Sequence, residues 1–175
     1  MGAHHPFRFS NTAILYKKGW NGINIDADKK NLWIFETFRK RDINLNYIIS
    51  NSTKLVNFYF FNESALNGIL SKDRLKKLNE IGFTPTKKKK MMPITLSKVF
   101  ELYLPEGQKI DLLTLDVEGH DFQVLKSLDL AKYNIKIILT EANENKISLN
   151  QYLVKNGYHL FKTEDSNLFY IKGKL

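Results

Sequence analysis

The sequence predicts an α/β fold with a doubly wound, largely parallel sheet that ends in an antiparallel hairpin. The first reason is that strand-like and helix-like segments alternate along the 175 residues without internal repeats, as crossover connections between parallel strands require. The second is a nearly continuous apolar run from Ile110 to Val117, which is typical of a strand buried on both faces of a parallel sheet. At this length we expect one domain, 1–175.

Composition restricts the class of protein. Hydrophobic residues make up 43% of the chain and aromatic residues 13%, which indicates a packed core. The absence of cysteine excludes disulfides and thiolate metal sites and makes a reducing compartment the simpler assumption. No apolar stretch approaches the ~20 residues of a membrane span, and no signal-peptide pattern opens the chain. We therefore expect a soluble, cytoplasmic protein.

The first half of the chain contains a strand–helix–strand unit. A short strand at 22–26 is followed by apolar side chains at helical spacing in 29–41, and residues 42–50 then alternate in polarity as a second strand does. The next predicted elements are a strand in 54–64, a helix in 74–83 and a helix in 95–104 with Thr95 as N-cap. The helical stripes are Leu32, Phe35 and Phe38, then Leu75, Leu78 and Ile81.

The second half continues the alternation. The apolar run predicts a strand at 110–116 and is followed by a helix over 121–133, for which Asp121 is a candidate N-cap. A strand that ends at Glu141 and a helix over 148–157 come next. Residues 158–165 and 167–173 have the pattern of the final hairpin.

The opening residues have the order of a cofactor-binding unit. A loop containing Gly2 leads into a helix near residues 10–12 and then into the strand that ends at Asp26. In such units the glycine lets the backbone approach a ligand, and the terminal acid accepts hydrogen bonds from ribose hydroxyls. Only Met1 precedes Gly2, so we expect the first, central strand of the sheet to be missing and the domain to be truncated at this end.

Polar side chains crowd one glycine directly after the apolar run. Asp116, Glu118, His120 and Asp121 surround Gly119. Carboxylates are costly in a core, but the carboxyl edge of an open parallel sheet is where ligands bind. The segment therefore predicts a strand, a ligand-facing loop and a helix.

Positive charge is concentrated in two clusters of this chain, whose net charge is +9. Lys87–Lys90 form one run, and Lys72, Arg74, Lys76 and Lys77 precede it. Such clusters can contact polyanions, but a solvated loop and helix face is the simpler interpretation. No RRM signature, zinc finger or arginine-rich arm is present, so nucleic acid is not the expected partner.

Three segments resemble the FkbM-type S-adenosylmethionine-dependent methyltransferases. IDLLTLDVEGHDFQVLKSLD, residues 110–129, is similar to the signature segment of that family, and GAHHPFRFSNT (2–12) and GWNGINIDAD (19–28) are similar to its cofactor-binding segments. The resemblance implies a class I, Rossmann-like methyltransferase fold with S-adenosylmethionine as cofactor. It also implies methyl transfer to a hydroxyl oxygen, on a saccharide or another small natural product.

The resemblance and the chemistry of methyl transfer together suggest roles for individual residues. His120 is the expected base, because an ordinary histidine pKa of about 6.5 leaves it largely neutral at physiological pH. Asp116 would orient the acceptor or the sulfonium, and Glu118 would anchor a sugar hydroxyl, bind a cation or stabilise His120. The expected cofactor-binding residues are Gly2, Ala3, His4, Asp26, Ile48, Ser50 and Asp116. For His4, an exposed loop histidine without function is an equal alternative.

Several alternatives stay open from sequence alone. Asp116, Glu118 and His120 have the donor types of a metal site, but three ligands within five residues fit one ion poorly, so no metal is expected. A non-catalytic remnant is a rival class because of the missing strand, and a basic nucleic-acid-binding or nucleic-acid-modifying protein is another because of the lysine run. The acceptor itself is not predicted, because loops that differ between proteins of one fold build such pockets.

Overall fold

The computed structural model describes residues 1–141 and 145–173. The strands are β1 (Ile23–Asp26), β2 (Ile43–Asn46), β3 (Val56–Phe60), β4 (Lys87–Met91), β5 (Leu112–Thr114), β6 (Ile137–Glu141), β7 (Tyr158–Glu164) and β8 (Asn167–Lys172). The helices are α1 (Ala13–Lys17), α2 (Lys29–Phe38), α3 (Lys72–Glu80), α4 (Leu96–Tyr103), α5 (Asp121–Lys126), α6 (Leu130–Tyr133) and α7 (Lys146–Lys155), with a 3₁₀ turn at Ser64–Leu66. Within these described ranges, no helix is both long and apolar enough to cross a membrane.

The described strands form three sheets, whereas the sequence predicts one continuous doubly wound sheet. β1 and β2 pair in parallel, and β3 and β4 pair antiparallel. The third sheet has the order β5–β6–β8–β7, in which β5 and β6 are parallel and β7 and β8 form the predicted hairpin. The mixed α/β class is confirmed, but the two parallel pairs are not joined by strand pairing among the described residues.

A gap separates the two parallel pairs, and the first three residues lie at one end of it. The Met1 ammonium donates to the Thr114 carbonyl at 2.8 Å, and the Asp116 amide donates to the Met1 carbonyl at 3.3 Å, which is the pattern of a parallel ladder. On the other side, the Ala3 amide donates to the Ile25 carbonyl at 3.3 Å. A cavity of about 380 Å³ is lined by both β1 and β5. The missing first strand stays a prediction.

One apolar core connects the parallel pairs. Ile25 of β1, Leu113 of β5 and Ile138 of β6 belong to it together with Val99 of α4. Burial of each such side chain contributes roughly 1.5–3 kcal/mol. The predicted N-cap of α4 is confirmed, because the Thr95 side chain accepts a hydrogen bond from the amide three residues later.

The predicted helix over 121–133 is divided into α5 and α6. The Ser127 hydroxyl donates to a carbonyl of the last turn of α5 at 2.6 Å, and the Asp129 carboxylate accepts hydrogen bonds from the first amides of α6. Such bonds between side chains and the backbone end one helix and begin the next. The N-cap alternative for Asp121 is wrong, since His120 occupies the cap position and Asp121 is the fully buried first residue of α5.

Residues 54–91, here called the basic lobe, contain β3, the 3₁₀ turn, α3 and β4. The lysine run forms β4 rather than the predicted loop or helix face, because it pairs with β3 along its whole length. The lobe has its own small core of Phe61, Leu70 and Leu78. Leu78 is buried as the helical stripe predicts, but Ile81 lies beyond the end of α3 and is 69% exposed.

Candidate active site

A second cavity, of about 270 Å³, lies where β1 and β5 end, at the edge where α/β sheets bind ligands. It brings together most of the predicted site residues: Gly2, His4, Asp26, Ile48, Asp116, Glu118 and His120. The other two predicted cofactor-binding residues lie elsewhere. Ala3 contacts the cavity between β1 and β5, and Ser50 is buried against the His120 ring.

Gly2 permits a close approach between two backbone segments. Its φ is +62°, and a Cβ at this position would lie 1.7 Å from the Asp116 carbonyl oxygen. Any other residue would therefore push the opening loop away from the end of β5. The sequence suggests a glycine that makes room for a ligand, whereas in the structure its immediate neighbour is the protein backbone beside the cavity.

Asp26 holds the opening loop against the end of β1. The His4 amide donates to Asp26 Oδ2 at 2.8 Å, and the Asp28 amide donates to Oδ1 at 2.7 Å. Burial raises the pKa of Asp26, and these two amide bonds oppose that shift. The Asn31 side chain also hydrogen-bonds to this carboxyl. Because a carboxylate has about four lone-pair sites, Asp26 can still accept one hydrogen bond from a ligand hydroxyl at the cavity wall.

His4 contributes an unsatisfied polar atom to the site. Its φ is +48°, and its Nδ1 is buried without a hydrogen-bond partner among the described residues. An unpaired buried polar atom costs roughly 1–3 kcal/mol and calls for a specific explanation. Because His4 lines the cavity, its unpaired nitrogen fits a site for a polar ligand.

Glu118 and Gly119 turn the chain sharply after β5. Their φ angles are +54° and +89°, a left-handed conformation that few non-glycine residues adopt. An ion pair holds Glu118 in this position, since Arg74 Nη2 lies 2.8 Å from Glu118 Oε2. Burial raises the pKa of Glu118, while the hydrogen bond from Arg74 lowers it. The turn presents the loop to the cavity, and Arg74 connects it to the basic lobe.

His120 is held by a residue far away in the sequence. Its Nε2 lies 3.0 Å from Ser50 Oγ, and Ser50 is only 1% exposed. Burial, assisted by the positive charge of Lys126, lowers the pKa of His120 to about 4. The imidazole is therefore neutral at physiological pH, as the sequence predicts, although burial makes it a weaker base than a solvated histidine.

Four carboxyl groups, from residues 116–121 and from the end of β6, lie near one another at this edge. They belong to Asp116, Glu118, Asp121 and Glu141, and burial is the main cause that raises the pKa of each. The pKa of Asp121 rises to about 6 and that of Glu141 to about 7, with repulsion from Asp116 as the second cause. The edge therefore favours an added positive charge. Within the described ranges, no group of three His, Cys, Asp or Glu is arranged to hold a metal ion.

Sequence reasoning assigned no role to Arg74 or Glu141. Glu141 carried a usable signal, because an acid at the end of β6 must lie beside the end of its parallel neighbour β5. Arg74 carried no such signal in the sequence. It is 44 residues away from Glu118, and it belongs to a helix whose other basic residues are exposed.

The cavity at the strand ends, the opening glycine loop and the acid that ends β1 lie together at one edge of a mixed α/β protein, and such an edge is where open α/β sheets bind ligands. The chain matches the methyltransferase FkbM domain over residues 1–162 and belongs to that family. The resemblance noted in the sequence is thereby confirmed, and the protein is a methyltransferase. Comparison with curated proteins and with solved structures gives no match.

Proposed function

We propose that the protein transfers a methyl group from S-adenosylmethionine to a hydroxyl oxygen of a saccharide or another small natural product. The observation that carries the proposal is a single cavity lined both by His4 and Asp26 and by Glu118 and His120. The first pair suits a nucleoside-like ligand, and the second suits a hydroxyl acceptor. Membership in the FkbM family supports the same activity.

Gly2, His4, Asp26 and Ile48 would hold the cofactor. The unpaired Nδ1 of His4 can form a hydrogen bond with a polar group of the cofactor, and the remaining lone pair of Asp26 can accept one from a hydroxyl. When bound, S-adenosylmethionine supplies a methyl group on a positively charged sulfur. Asp116 and its neighbouring acids would favour that charge, because a nearby positive charge stabilises their ionised forms against desolvation and mutual repulsion.

His120 is the proposed base that accepts the hydroxyl proton of the acceptor. For this role Nε2 must carry the hydrogen and donate it to Ser50 Oγ, which lies 3.0 Å away, so that Nδ1 remains an acceptor. Ser50 is then a positioning residue that fixes the tautomer of the imidazole. Because the pKa of His120 is about 4, its basic form is available across the neutral range.

Asp116 and Glu118 would position the two reactants. The Asp116 side chain is accessible at the cavity wall, where it can orient the acceptor or the sulfonium. The ion pair with Arg74 fixes the position of Glu118. A fixed carboxylate suits the role of an anchor for a sugar hydroxyl better than a role that requires the side chain to move. The cavity of about 270 Å³ is small for a ligand site, for which roughly 300–1,000 Å³ is usual, so we expect the ligands to extend beyond it.

We also interpret the two parallel pairs as parts of one doubly wound sheet with a strand position between β1 and β5. The ladder bonds that Met1 makes with Thr114 and Asp116 support this interpretation. The cavity of about 380 Å³ between the strands supports it too. A strand placed there would rigidify the loop that carries Gly2 and His4, and thereby the cofactor side of the site.

Incubation with S-adenosylmethionine and a set of hydroxyl acceptors tests the proposed activity. We expect S-adenosylhomocysteine to accumulate only when a suitable acceptor is present, as detected by mass spectrometry. Binding of cofactor without transfer to any hydroxyl would contradict O-methylation. Failure to bind the cofactor at all would support the rival interpretation of a non-catalytic remnant.

A further inference from the structure

The basic lobe carries most of the net positive charge of the chain. Its residues 54–90 include nine Lys and Arg but only three Asp and Glu, so they provide six of the nine net positive charges. The same lobe lines the active-site cavity through Phe58 and the segment from Ser64 to Ile69. The lobe therefore borders the site, and the pairing of its strands decides which of its lysines belong to the bordering face.

The register of β3 and β4 divides the lysine run between two faces. Directly opposite residues of an antiparallel pair share a face, and successive residues alternate. Lys89 is opposite Phe58, and Lys87 is opposite Phe60. Because Phe58 lines the cavity, Lys87 and Lys89 belong to the face of the hairpin that borders the site.

The other two lysines belong to the opposite face. Lys88 is opposite Tyr59 and Lys90 is opposite Asn57, and Tyr59 packs against the small core of the lobe. Contacts between lysines and rings agree with this division. Lys88 Nζ lies 5.5 Å from the Tyr59 ring centroid, and Lys87 Nζ lies 5.9 Å from that of Phe60.

The lysines on the cavity face have no acidic partner in the part of the chain that the structure describes. All four residues of the run are exposed, and no carboxylate of residues 1–141 or 145–173 forms an ion pair with Lys87 or Lys89. The carboxyl groups of the site are gathered instead on the loop after β5 and the neighbouring strand end. The site thus has an acidic side and a basic side, which suits a cationic donor and an anionic acceptor.

We propose that the acceptor is an acidic saccharide whose anionic group is bound by Lys87 and Lys89 while its hydroxyl faces His120. This inference rests on the proposed methyl transfer to a hydroxyl and specifies the chemistry of the acceptor. A nucleic acid fits less well, because unpaired bases need open aromatic faces for stacking. Here the Tyr59 and Phe60 rings are half-buried and contacted by lysines.

The two faces supply a matched pair of variants for the test. Lys87→Ser/Lys89→Ser and Lys88→Ser/Lys90→Ser remove the same charge from the same strand. Calorimetry without methyl donor would measure the binding of a uronic-acid oligosaccharide, a sulfated oligosaccharide and a neutral oligosaccharide of equal length. We expect the wild type to prefer an acidic ligand, and the first variant to bind it about tenfold more weakly, as about 1.4 kcal/mol from two exposed contacts predicts.

The control variant should bind within about twofold of the wild type, which corresponds to a few tenths of a kcal/mol. Equal losses of affinity in both variants would overturn the inference, because long-range attraction alone would explain them. Equal affinity of the wild type for the neutral and the acidic oligosaccharides would also overturn it. If the protein bound single-stranded RNA more tightly than the saccharides, and both variants lost RNA affinity equally, the partner would be a nucleic acid and not an acidic saccharide. The carboxylated and sulfated ligands distinguish the two possible anionic groups.

This assay is independent of the proposed reaction because it contains no cofactor. Face-selective binding of an acidic saccharide without any methyl transfer would contradict the proposed function and leave the binding surface in place. Methyl transfer to neutral saccharides that does not depend on Lys87 and Lys89 would contradict the acidic acceptor and leave the proposed methyl transfer in place.

Discussion

The loop after β5 and the basic lobe border one cavity, but they carry opposite charges in different surroundings. On the loop side Asp116 reaches the cavity wall, but Glu118 is half-buried and Asp121 is fully buried, and burial raises the pKa of Asp121 to about 6. On the lobe side Lys87–Lys90 are all exposed. Desolvated charges interact strongly with their neighbours, whereas exposed charges are screened by water and salt. Substitutions in the loop should therefore alter chemistry and stability, and substitutions of the lysines should alter binding alone.

The largest expected effect belongs to His120. His120→Ala should lower turnover by roughly 10²- to 10⁴-fold, the range for loss of a positioned general base, while cofactor affinity stays nearly the same. Steady-state kinetics on an accepted substrate and calorimetry with S-adenosylmethionine would measure the two quantities. His159→Ala, in the β7–β8 hairpin, is the matched control and should keep full activity.

Turnover of His120→Ala within a few-fold of the wild type across pH 6 to 9 would rule out the base assignment. Glu118→Gln would then be the next variant to measure. If it abolished turnover, Glu118 would be the base. If neither substitution mattered, solvent would accept the proton and the loop would only position the substrate.

A pH-dependent stability effect is expected at Asp121, whose carboxyl accepts a hydrogen bond from Thr140 Oγ1 in the core. Its pKa is raised from 3.8 to about 6, so the folded state binds its proton more tightly than the unfolded state. This carboxyl therefore costs stability as pH rises from about 4 through about 6. Asp121→Asn keeps the acceptor oxygen and should equal the wild type near pH 4, but exceed it at pH 8 by up to about 3 kcal/mol.

Urea denaturation of both proteins at pH 4 and pH 8 would measure this difference. The exposed Asp165 provides a control, since in Asp165→Asn the charge that is removed lies in water. A difference between Asp121→Asn and the wild type that does not change with pH would show that the charge of Asp121 is not the cause.

A smaller effect is expected at Asp26, on the cofactor side. Asp26→Ala should weaken S-adenosylmethionine binding by about 1 to 3 kcal/mol, the usual scale for loss of charged hydrogen bonds. Asp26→Asn retains one acceptor oxygen for the His4 or Asp28 amide and should lose less. Calorimetric affinities that are identical in all three proteins would remove Asp26 from the cofactor site.

The smallest effect is expected for the stability of the lysine strand. Replacement of Lys87–Lys90 by serine should change the melting temperature by less than about 3 °C, because exposed charges contribute little. Phe58→Ala, at a 5% exposed position of the paired strand, should lower it much more. A large drop in the serine variant would mean that the contacts between lysines and rings hold β4 in place.

Local sequence patterns predicted the elements better than their pairing. The strands that end at Asp26 and Glu141 are confirmed, because apolar periodicity and terminal acids are local signals. The separation into three sheets was not predictable, since strand pairing is a long-range property. β4 was missed because four lysines favour solvent, and only its pairing with β3 makes the run a strand.

The same limit applies to the site. The segment from Asp116 to His120 was found because the polar cluster follows an apolar run directly. Ser50 was assigned to the cofactor from its place at a strand end, but its hydroxyl contacts His120, 70 residues away. The N-cap alternative for Asp121 is wrong because the helix begins at Asp121 itself, one residue earlier than that alternative requires.

The most direct test of the central claim is the affinity of S-adenosylmethionine for two glycine variants. A Cβ on Gly2 would lie 1.7 Å from the Asp116 carbonyl oxygen, whereas a Cβ on Gly22 would have no atom within 4 Å. If the opening loop and the end of β5 form the cofactor site, the wild type and Gly22→Ala should bind S-adenosylmethionine equally, and Gly2→Ala should bind it at least tenfold more weakly, a loss of about 1.4 kcal/mol. Equal affinity in Gly2→Ala, or no binding by the wild type, would contradict the account.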